Sequence, residues 1–220
     1  MKKFAVIVAG GTGTRMQSAV PKQFLEVKGK PVLWHTLNAF LQAYEDVQVI
    51  LVLHPDYLKQ GCAIAAATGA SQRIKITTGG ETRFDSVKNG LQLVDDDSIV
   101  FVHDAARCLV TSDLIHRCYE QAVAHGNAIP AINATDTVRI DNGNGPTLVD
   151  RNKVYIIQTP QTFKSDLLKP AFNQAYNESF TDEASVAEAA GIKIYLINGE
   201  ANNIKITSPV DLTVVASLIK

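Results

Sequence analysis

Glycines and cations are concentrated in one loop near the start of the chain. The apolar run Ala5 to Ala9 leads into Gly10-Gly11-Thr12-Gly13-Thr14-Arg15, and Pro21-Lys22-Gln23 follows shortly afterwards. Glycines after a strand allow backbone N–H groups to turn toward an anion, and Arg15 and Lys22 add positive side chains. The pattern therefore predicts a loop that binds a polyphosphate.

Two familiar phosphate-binding patterns do not match this loop. A dinucleotide pattern G-x-G-x-x-G that begins at Gly11 needs glycine where Met16 stands, and the P-loop pattern fails from Gly10, Gly11 and Gly13 alike. Neither a dinucleotide cofactor nor a Walker ATPase is supported. Taken alone, the loop also fits a simple glycine turn with solvated charges.

Composition narrows the possible partners and location. The chain has 220 residues and a net charge of -1, which disfavours broad electrostatic binding to nucleic acid. Cys62, Cys108 and Cys118 lack metal-binding or disulfide spacing, so we expect each to be a small buried residue. The sequence contains no apolar run of about 20 residues and no visible signal peptide. We therefore expect a cytoplasmic protein without a membrane partner.

Strand-like and helix-like segments alternate along the chain, which predicts an α/β fold: a Rossmann-like, mostly parallel sheet with helices on both faces. The predicted strands are Phe4–Val8, Val47–Leu53, Arg73–Thr77, Ile99–His103, Ala128–Ile132, Lys193–Ile197 and Asn203–Ile206. The predicted helices are Val32–Tyr44, Tyr57–Ala67, Thr82–Val94, Thr111–His125, Lys164–Tyr176, Asp182–Ala190 and Pro209–Ile219. We expect residues 1–220 to form a single domain.

The order of the elements also predicts where a ligand lies. In open α/β sheets ligands bind beyond the carboxyl ends of the strands, which selects the loops after Val8, Ile76 and Val102. Between residues 135 and 158 the pattern changes to a β-hairpin with its tip near Asn142–Pro146. We expect this hairpin to project as an arm that contacts a partner, the alternative being a floppy insertion.

Several motifs, in order along nearly the whole chain, resemble those of one enzyme family. They are Ala9–Met16, Pro21–Leu25, Gly79–Val87, Val102–Arg107, Asp136-Thr137, Asp150-Arg151, Gln158–Gln161, Thr181–Ser185 and Asn203–Thr207. The set resembles the sugar-phosphate cytidylyltransferases, and more closely the 2-C-methyl-D-erythritol 4-phosphate cytidylyltransferases of the non-mevalonate isoprenoid pathway. One departure is Cys108, which stands where the family usually has proline.

The resemblance implies that the chain joins CTP to 2-C-methyl-D-erythritol 4-phosphate, giving 4-diphosphocytidyl-2-C-methyl-D-erythritol and pyrophosphate. The attacking group would be a phosphate monoester, whose second pKa is about 6, so it needs no general base at neutral pH. The main obstacle is repulsion between two anionic substrates. Catalysis should therefore consist of positioning and charge neutralisation.

The resemblance also implies roles for individual residues. The catalytic cations are Arg15, Lys22 and Lys205; the nucleotide-binding residues are Ala9, Gly10, Gly11, Gly13, Gly80, Ser86, Asp104 and Ala105; the acceptor-binding residues are Arg107, Thr137, Arg151, Thr159 and Thr181. Of these, Asp104 and Ala105 are expected to contact either the ribose or the acceptor. Magnesium is expected on the substrate phosphates, with no protein ligand assigned. The arm is expected to cross to a neighbouring subunit and form a homodimer with composite sites.

Simpler interpretations remain open for several residues. Asp104 can cap the segment after its strand, Lys205 can be an exposed charge on an edge strand, and His103 is better explained as a packed residue than as a base. Two other functions also remain open. One is transfer to a different polyol phosphate, such as ribitol 5-phosphate, and the other is nucleotide binding without turnover.

Overall fold

The computed structural model describes residues 1–11 and 20–219. Its strands are β1 (Lys2–Ala9), β2 (Glu26–Val27), β3 (Lys30–Pro31), β4 (Gln48–Leu53), β5 (Ile74–Thr78), β6 (Ser98–Asp104), β7 (Asn127–Asn133), β8 (Val138–Asp141), β9 (Pro146–Val149), β10 (Tyr155–Ile157), β11 (Gln161–Lys164) and β12 (Leu196–Asn198). Its α-helices are α1 (Val32–Ala43), α2 (Leu58–Ala66), α3 (Arg83–Leu91), α4 (Ser112–His125), α5 (Ser165–Ala171), α6 (Glu183–Ala189) and α7 (Pro209–Leu218).

The central sheet is mostly parallel, as predicted. In the described part of the chain its strand order is β10-β7-β11-β6-β1-β4-β5, and β12 also pairs with β7. Strands β6, β1, β4 and β5 are parallel to one another, whereas β11 runs antiparallel to both β6 and β7. The carboxyl ends of β1, β4, β5 and β6 therefore lie at one edge of the sheet.

Alternate residues of the central strands face two separate hydrophobic layers. On β1, Ala5 and Ile7 pack in a core with α1 and α4, while Phe4 and Val6 pack in a second core with α3, α5 and α6. A strand covered on both faces must be apolar at successive positions, which explains the continuous run of apolar residues in β1. The prediction of helices on both faces is confirmed.

Side-chain caps define where several helices begin. Thr111 caps α4, because its hydroxyl accepts from the backbone N–H of Leu114. Helices α3, α6 and α7 each begin with a reciprocal capping box, in which a polar side chain at the cap and one three residues later bond to each other's backbone. The capping pairs are Thr82 with Asp85, Asp182 with Ser185, and Ser208 with Asp211.

Three predicted elements differ from the structure in their bounds or type. The predicted helix Lys164–Tyr176 is observed as α5, Ser165–Ala171, because Lys164 belongs to strand β11. The predicted strand Lys193–Ile197 is observed as β12, Leu196–Asn198. The predicted strand at residues 203–206 is not a strand. There the side chain of Asn203 donates to the Thr159 carbonyl and the Ile206 N–H donates to the Ala106 carbonyl, so tertiary contacts stabilise an irregular segment.

The predicted hairpin is present. Strands β8 and β9 pair antiparallel from Val138 opposite Val149 to Asp141 opposite Pro146, which leaves residues 142–145 as the turn. Ile140 and Leu148 on these strands are exposed, as are Tyr155 and Ile156 at the base. Residues 138–149, called the arm below, thus present apolar side chains to solvent.

The cysteine prediction is correct at two of three positions. Cys108 and Cys118 are buried thiols, whereas Cys62 lies on an exposed part of α2. The periodicity of α2 places its buried side at Gly61, Ile64 and Ala65, so position 62 falls on the solvent side. Among the residues that the structure describes, no helix is long and apolar enough to cross a membrane.

Candidate active site

A cavity of about 300 Å³ lies at the edge of the sheet where β1 and β6 end. It is lined by Val8, Ala9, Gly10, Gly11, Lys22, Gln23, Gly80, Glu81, Thr82, Arg83, Ser86, Asp104, Ala105, Ala106, Lys205 and Thr207. The loops after β1, β5 and β6 therefore meet as the strand order predicts. The irregular segment before α7 adds the last two residues.

Most of the predicted nucleotide-binding and catalytic residues line this one cavity. They are Ala9, Gly10, Gly11, Lys22, Gly80, Ser86, Asp104, Ala105 and Lys205. Gly13 and Arg15 lie outside the described residues. Thus Lys22 and Lys205, which are far apart in sequence, face the same space, as a charge-neutralising site requires.

The segment after Pro21 holds the first loop in place. Lys22 and Gln23 lie in a short 3-10 turn, and the Lys22 ammonium donates to the Ile206 carbonyl over 2.6 Å. The buried Gln23 amide donates to the carbonyls of Ala9 (2.8 Å) and Gly11 (2.9 Å). Gln23 therefore fixes the loop's entrance. In the sequence, the only sign of this role of Gln23 is its position next to Lys22.

Asp104 is the centre of an ionic cluster. Lys205 Nζ lies 2.9 Å from Asp104 Oδ2, Arg107 Nε lies 3.5 Å from the same oxygen, and Arg83 Nη2 lies 3.5 Å from Oδ1. Burial alone would raise the pKa of Asp104, but Arg83, Lys205 and Arg107 outweigh it and hold that pKa well below its usual range. Asp104 is therefore a fixed negative charge beside the two lysines.

Ser86 orders the loop after β5. Its hydroxyl accepts from the Gly80 N–H (3.1 Å) and donates to the Thr82 carbonyl (2.9 Å). A Cβ at Gly79 would lie 2.8 Å from the same oxygen, so this approach requires glycine. The result is a narrow wall of backbone and hydroxyl groups, which suits recognition of a flat polar ring.

His103 and Thr159 form a buried chain of hydrogen bonds behind Asp104. His103 Nε2 lies 3.1 Å from the Arg107 carbonyl, which can only accept, so Nε2 carries the proton and Nδ1 accepts from the Thr159 hydroxyl. That hydroxyl also accepts from the Asp104 N–H. Burial lowers the pKa of His103 to about 4, so the ring is neutral. The interpretation of His103 as a packed residue is confirmed.

The five predicted acceptor-binding residues do not line the cavity. Arg107 Nη1 donates to the Asn203 carbonyl (2.8 Å), and Thr159 is committed to the hydrogen bonds just described. Thr181 precedes the cap of α6, while Thr137 and Arg151 flank the arm. Arg151 donates to the Thr135 carbonyl over 2.8 Å. An acceptor role for these residues stays a prediction.

Sequence reasoning missed the pair formed by Arg83 and Glu183. Arg83 Nη1 and Nη2 lie 2.6 and 3.1 Å from the two carboxylate oxygens of Glu183, whose side chain is fully buried. Each residue opens a helix, where charged residues are ordinary, so the pattern gave no hint of a tertiary pair. A negative charge without solvent access must be paired, and Arg83 supplies the partner at the cavity wall.

Comparison with known proteins agrees with this geometry. The family model of IspD, 2-C-methyl-D-erythritol 4-phosphate cytidylyltransferase, matches residues 4–220. The enzyme of that name from Bacteroides fragilis is 46% identical over 222 residues, with 100% of both chains covered. That from Lachnospira eligens is 34% identical, with 98% of both chains covered.

Solved structures give the same result. A 4-diphosphocytidyl-2C-methyl-D-erythritol synthase from Anaerococcus prevotii has a TM-score of 0.85 at 28% identity, covering 98% of this chain and 95% of that one. The 2-C-methyl-D-erythritol 4-phosphate cytidylyltransferase from Francisella tularensis has a TM-score of 0.81 at 31% identity, covering 100% of both chains.

The family match and the glycine loops and lysines around one cavity at the strand ends together identify the chain as a nucleotidyltransferase. Within that class, the chain belongs to the 2-C-methyl-D-erythritol 4-phosphate cytidylyltransferase family. It is thus a cytidylyltransferase of isoprenoid precursor synthesis.

Proposed function

We propose that the cavity described above binds CTP and that its lysines promote attack by the phosphate of 2-C-methyl-D-erythritol 4-phosphate. The observation that carries this proposal is the position of Lys22 and Lys205, which line one cavity with the glycine loop and the Ser86 wall. Cytosine would lie against Gly80 and Ser86. The triphosphate would lie along Gly10 and Gly11.

The chemistry follows from the charges of the two substrates. The acceptor phosphate forms a new bond to the α-phosphorus of CTP, and the bond from that phosphorus to the bridging oxygen of pyrophosphate breaks. Because the attacking oxygen already carries negative charge, no proton transfer is needed. Lys22, Lys205 and Arg15 would neutralise charge on the α-phosphate and on the departing pyrophosphate, where it grows most in the transition state.

Lys205 has to change partners for this role. In the structure its ammonium pairs with Asp104 over 2.9 Å, and its side chain is 39% exposed. It lies on an irregular segment, so a rotation of the side chain toward a phosphate breaks no strand pairing. Lys22, by contrast, already reaches across the cavity edge to the segment that carries Lys205.

Magnesium fits this site as an ion held mainly by the substrates. A small hard cation of this kind binds phosphate oxygens and keeps few protein ligands. The described ranges contain no group of three or more His, Cys, Asp or Glu side chains arranged around a metal position. The cavity carboxylates described are Asp104 and Glu81. When bound, the ion would neutralise and orient the phosphates.

The acceptor side of the site would be completed by a second copy of the chain. Thr137 and Arg151 flank the arm, and exposed Ile140 and Leu148 on the arm provide an apolar contact surface. An arm that reaches a neighbour would carry Arg151 to the partner's cavity. We therefore propose a homodimer of cytoplasmic chains, each a single domain, with residues 135–158 as the dimerisation segment.

A parallel acceptor assay tests the proposed substrates. Purified chain with CTP and Mg²⁺ would be mixed with 2-C-methyl-D-erythritol 4-phosphate or ribitol 5-phosphate, and pyrophosphate release would be measured. We expect release with the first acceptor at a kcat/KM at least about a hundredfold above the second, since a misfitted polar acceptor leaves site groups unpaired. Preference for ribitol 5-phosphate would overturn the acceptor assignment, and CTP binding without release would favour a nucleotide-binding protein.

A further inference from the structure

Arg83 joins the starts of two helices at the cavity wall. It is the first residue of α3, which also carries Ser86, and Glu183 is the first residue of α6, directly after Thr181 and Asp182. The guanidinium bonds both Glu183 oxygens, at 2.6 and 3.1 Å. A bidentate pair of this kind fixes the orientation of the guanidinium plane as well as its position.

The same guanidinium lies near one carboxylate oxygen of Asp104, and Lys205 contacts the other. Arg83 Nη2 lies 3.5 Å from Asp104 Oδ1, while Lys205 Nζ lies 2.9 Å from Oδ2. Asp104 is buried, so its charge is costly to leave without a nearby cation. If Lys205 turns to a phosphate, Arg83 and Arg107 are the cations described that remain beside Asp104.

We infer that Arg83, anchored by Glu183, is a positioning residue that balances Asp104 so that Lys205 can transfer from that carboxylate to a substrate phosphate. This inference rests on the proposed function, because it assigns Lys205 to the phosphates. Without Arg83, Asp104 holds Lys205 more tightly, and the ammonium is less available in the transition state. Arg83 acts through Asp104 and Lys205 and need not touch the reacting atoms.

The test is the effect of Arg83→Gln in two backgrounds. With Asp104 present, we expect kcat to fall about tenfold with KM for CTP changed less than about threefold, the size of coupling usual for residues in one ionic network. With Asp104→Asn already in place, the carboxylate that retains Lys205 is gone. Arg83→Gln should then change kcat less than about twofold. Equal losses in both backgrounds would overturn the inference.

Folding effects are separated by a compensated variant. Arg83→Gln alone leaves Glu183 buried without its cation, so the double variant Arg83→Gln, Glu183→Gln replaces the ion pair by two amides that can bond each other. We expect it to regain the thermal midpoint lost by Arg83→Gln but to keep the low kcat. Recovery of kcat in this double variant would show that Arg83 serves only stability.

Arg117→Gln is the matched control. Arg117 also pairs with two carboxylates, Asp113 at 2.7 Å and Glu200 at 3.4 Å, but does not line the cavity. The kcat of the Arg117→Gln variant should equal that of the wild-type protein. If the unchanged chain releases no pyrophosphate with any acceptor, the proposed function and this inference both fail. If the protein releases pyrophosphate but Arg83→Gln lowers kcat equally with and without Asp104→Asn, the inference fails and the proposed function stands.

Discussion

Lys22 shows how one residue can have both a structural contact and a chemical role. Its ammonium donates to the Ile206 carbonyl, so it ties the first loop to the segment that carries Lys205. A lysine in this position is preorganised before any substrate arrives. Its charge is therefore available where the leaving group develops, with little reorganisation.

Replacing Lys22 by alanine should mainly lower kcat. We expect a loss of roughly a hundredfold or more, the usual effect of removing one preorganised charge from a transition state. KM for CTP should change less than about threefold. Steady-state pyrophosphate release measures both constants, with Lys30→Ala on β3 as a control lysine outside the cavity. An unchanged kcat with only a raised KM would contradict the assigned role.

His103 gives the protein a stability limit in mildly acidic solution. Burial lowers the pKa of His103 to about 4 from its ordinary value of 6.5, so the unfolded chain takes up this proton first as the pH falls. The contribution of neutral His103 to the free energy of unfolding is therefore fully present above about pH 6.5 and is lost progressively as the pH falls to about 4. Between pH 7 and 4.5 the free energy of unfolding should fall by about 2 to 3 kcal/mol from this residue.

Urea unfolding across this pH range measures the effect. The chain with His103→Gln keeps a polar side chain at the position but does not titrate. Its free energy of unfolding should be lower at pH 7 and should change less toward pH 4.5. If both chains lose the same free energy of unfolding over this range, other groups cause the acid sensitivity.

Helix α3 serves the site at one end and the core along its length. Its first turn carries Arg83 and Ser86 on the cavity wall, whereas Gly90 packs closely against β1 and β4. A Cβ at Gly90 would lie 2.6 Å from Val6 Cγ1 and 3.0 Å from Val52 Cγ2. Glycine at this position lets the helix approach the sheet closely.

Two glycine substitutions should separate these functions. Gly79→Ala should displace the Ser86 hydroxyl from the Gly80 N–H and raise KM for CTP about tenfold, as the loss of a specific polar contact does. Gly90→Ala should lower the free energy of unfolding by roughly 1 to 3 kcal/mol through overpacking and leave KM nearly unchanged. Titration with CTP and thermal unfolding of both variants measure the two effects. If KM for CTP rose in Gly90→Ala but not in Gly79→Ala, the assignment of Gly79 to the site and of Gly90 to the core would be wrong.

The central elements were predictable because each is encoded locally. The continuous apolar run at residues 4–8 and the helix pattern at residues 209–219 are short local signals, and the structure has a strand at Lys2–Ala9 and a helix at Pro209–Leu218. The strand at Gln161–Lys164 was missed because its pairing with β6 and β7 is long-range and its four residues carry no distinctive period. The segment at residues 203–206 was misread because its apolar alternation resembles a strand. Instead of a strand ladder, its backbone makes isolated hydrogen bonds with the Ala106 carbonyl and with the side chains of Lys22 and Arg107.

Only those site residues that belong to recognisable sequence motifs could be predicted. The glycine loop and the lysines followed from residue type and resemblance, and those described line one cavity. The Arg83–Glu183 pair was not foreseen because the two residues are 100 positions apart and each looks like an ordinary first-turn residue. Pairings of this kind depend on how α3 and α6 pack, which no local pattern encodes.

At the scale of the whole molecule, the proposed dimer depends on the arm. Its exposed Leu148 and Ile140 lie on a two-stranded hairpin, which is rarely stable alone in water. Association with a second copy would cover these side chains and complete the acceptor side. The oligomeric state and the acceptor KM should therefore change together.

Leu148→Asp should convert a dimer to a monomer. A charge at the centre of an apolar contact is costly, so we expect at least about a hundredfold weaker association. Light scattering over a concentration series measures the mass, and acceptor titration measures KM, which should rise as the dimer dissociates. Val210→Asp, on an equally exposed valine of α7, is the control and should leave the mass unchanged. If the wild-type protein were a monomer at micromolar concentration, the proposed homodimer would be wrong.

The bond from Lys22 to Ile206 spans 184 positions of the chain. On a ribosome, the first loop is therefore made long before the segment that completes its cavity, and the two ammonium groups meet only when synthesis is almost finished. A partly synthesised chain has the glycine loop and the Ser86 wall without the second lysine. With the role proposed above for Lys205, turnover would begin only after this last segment has been made.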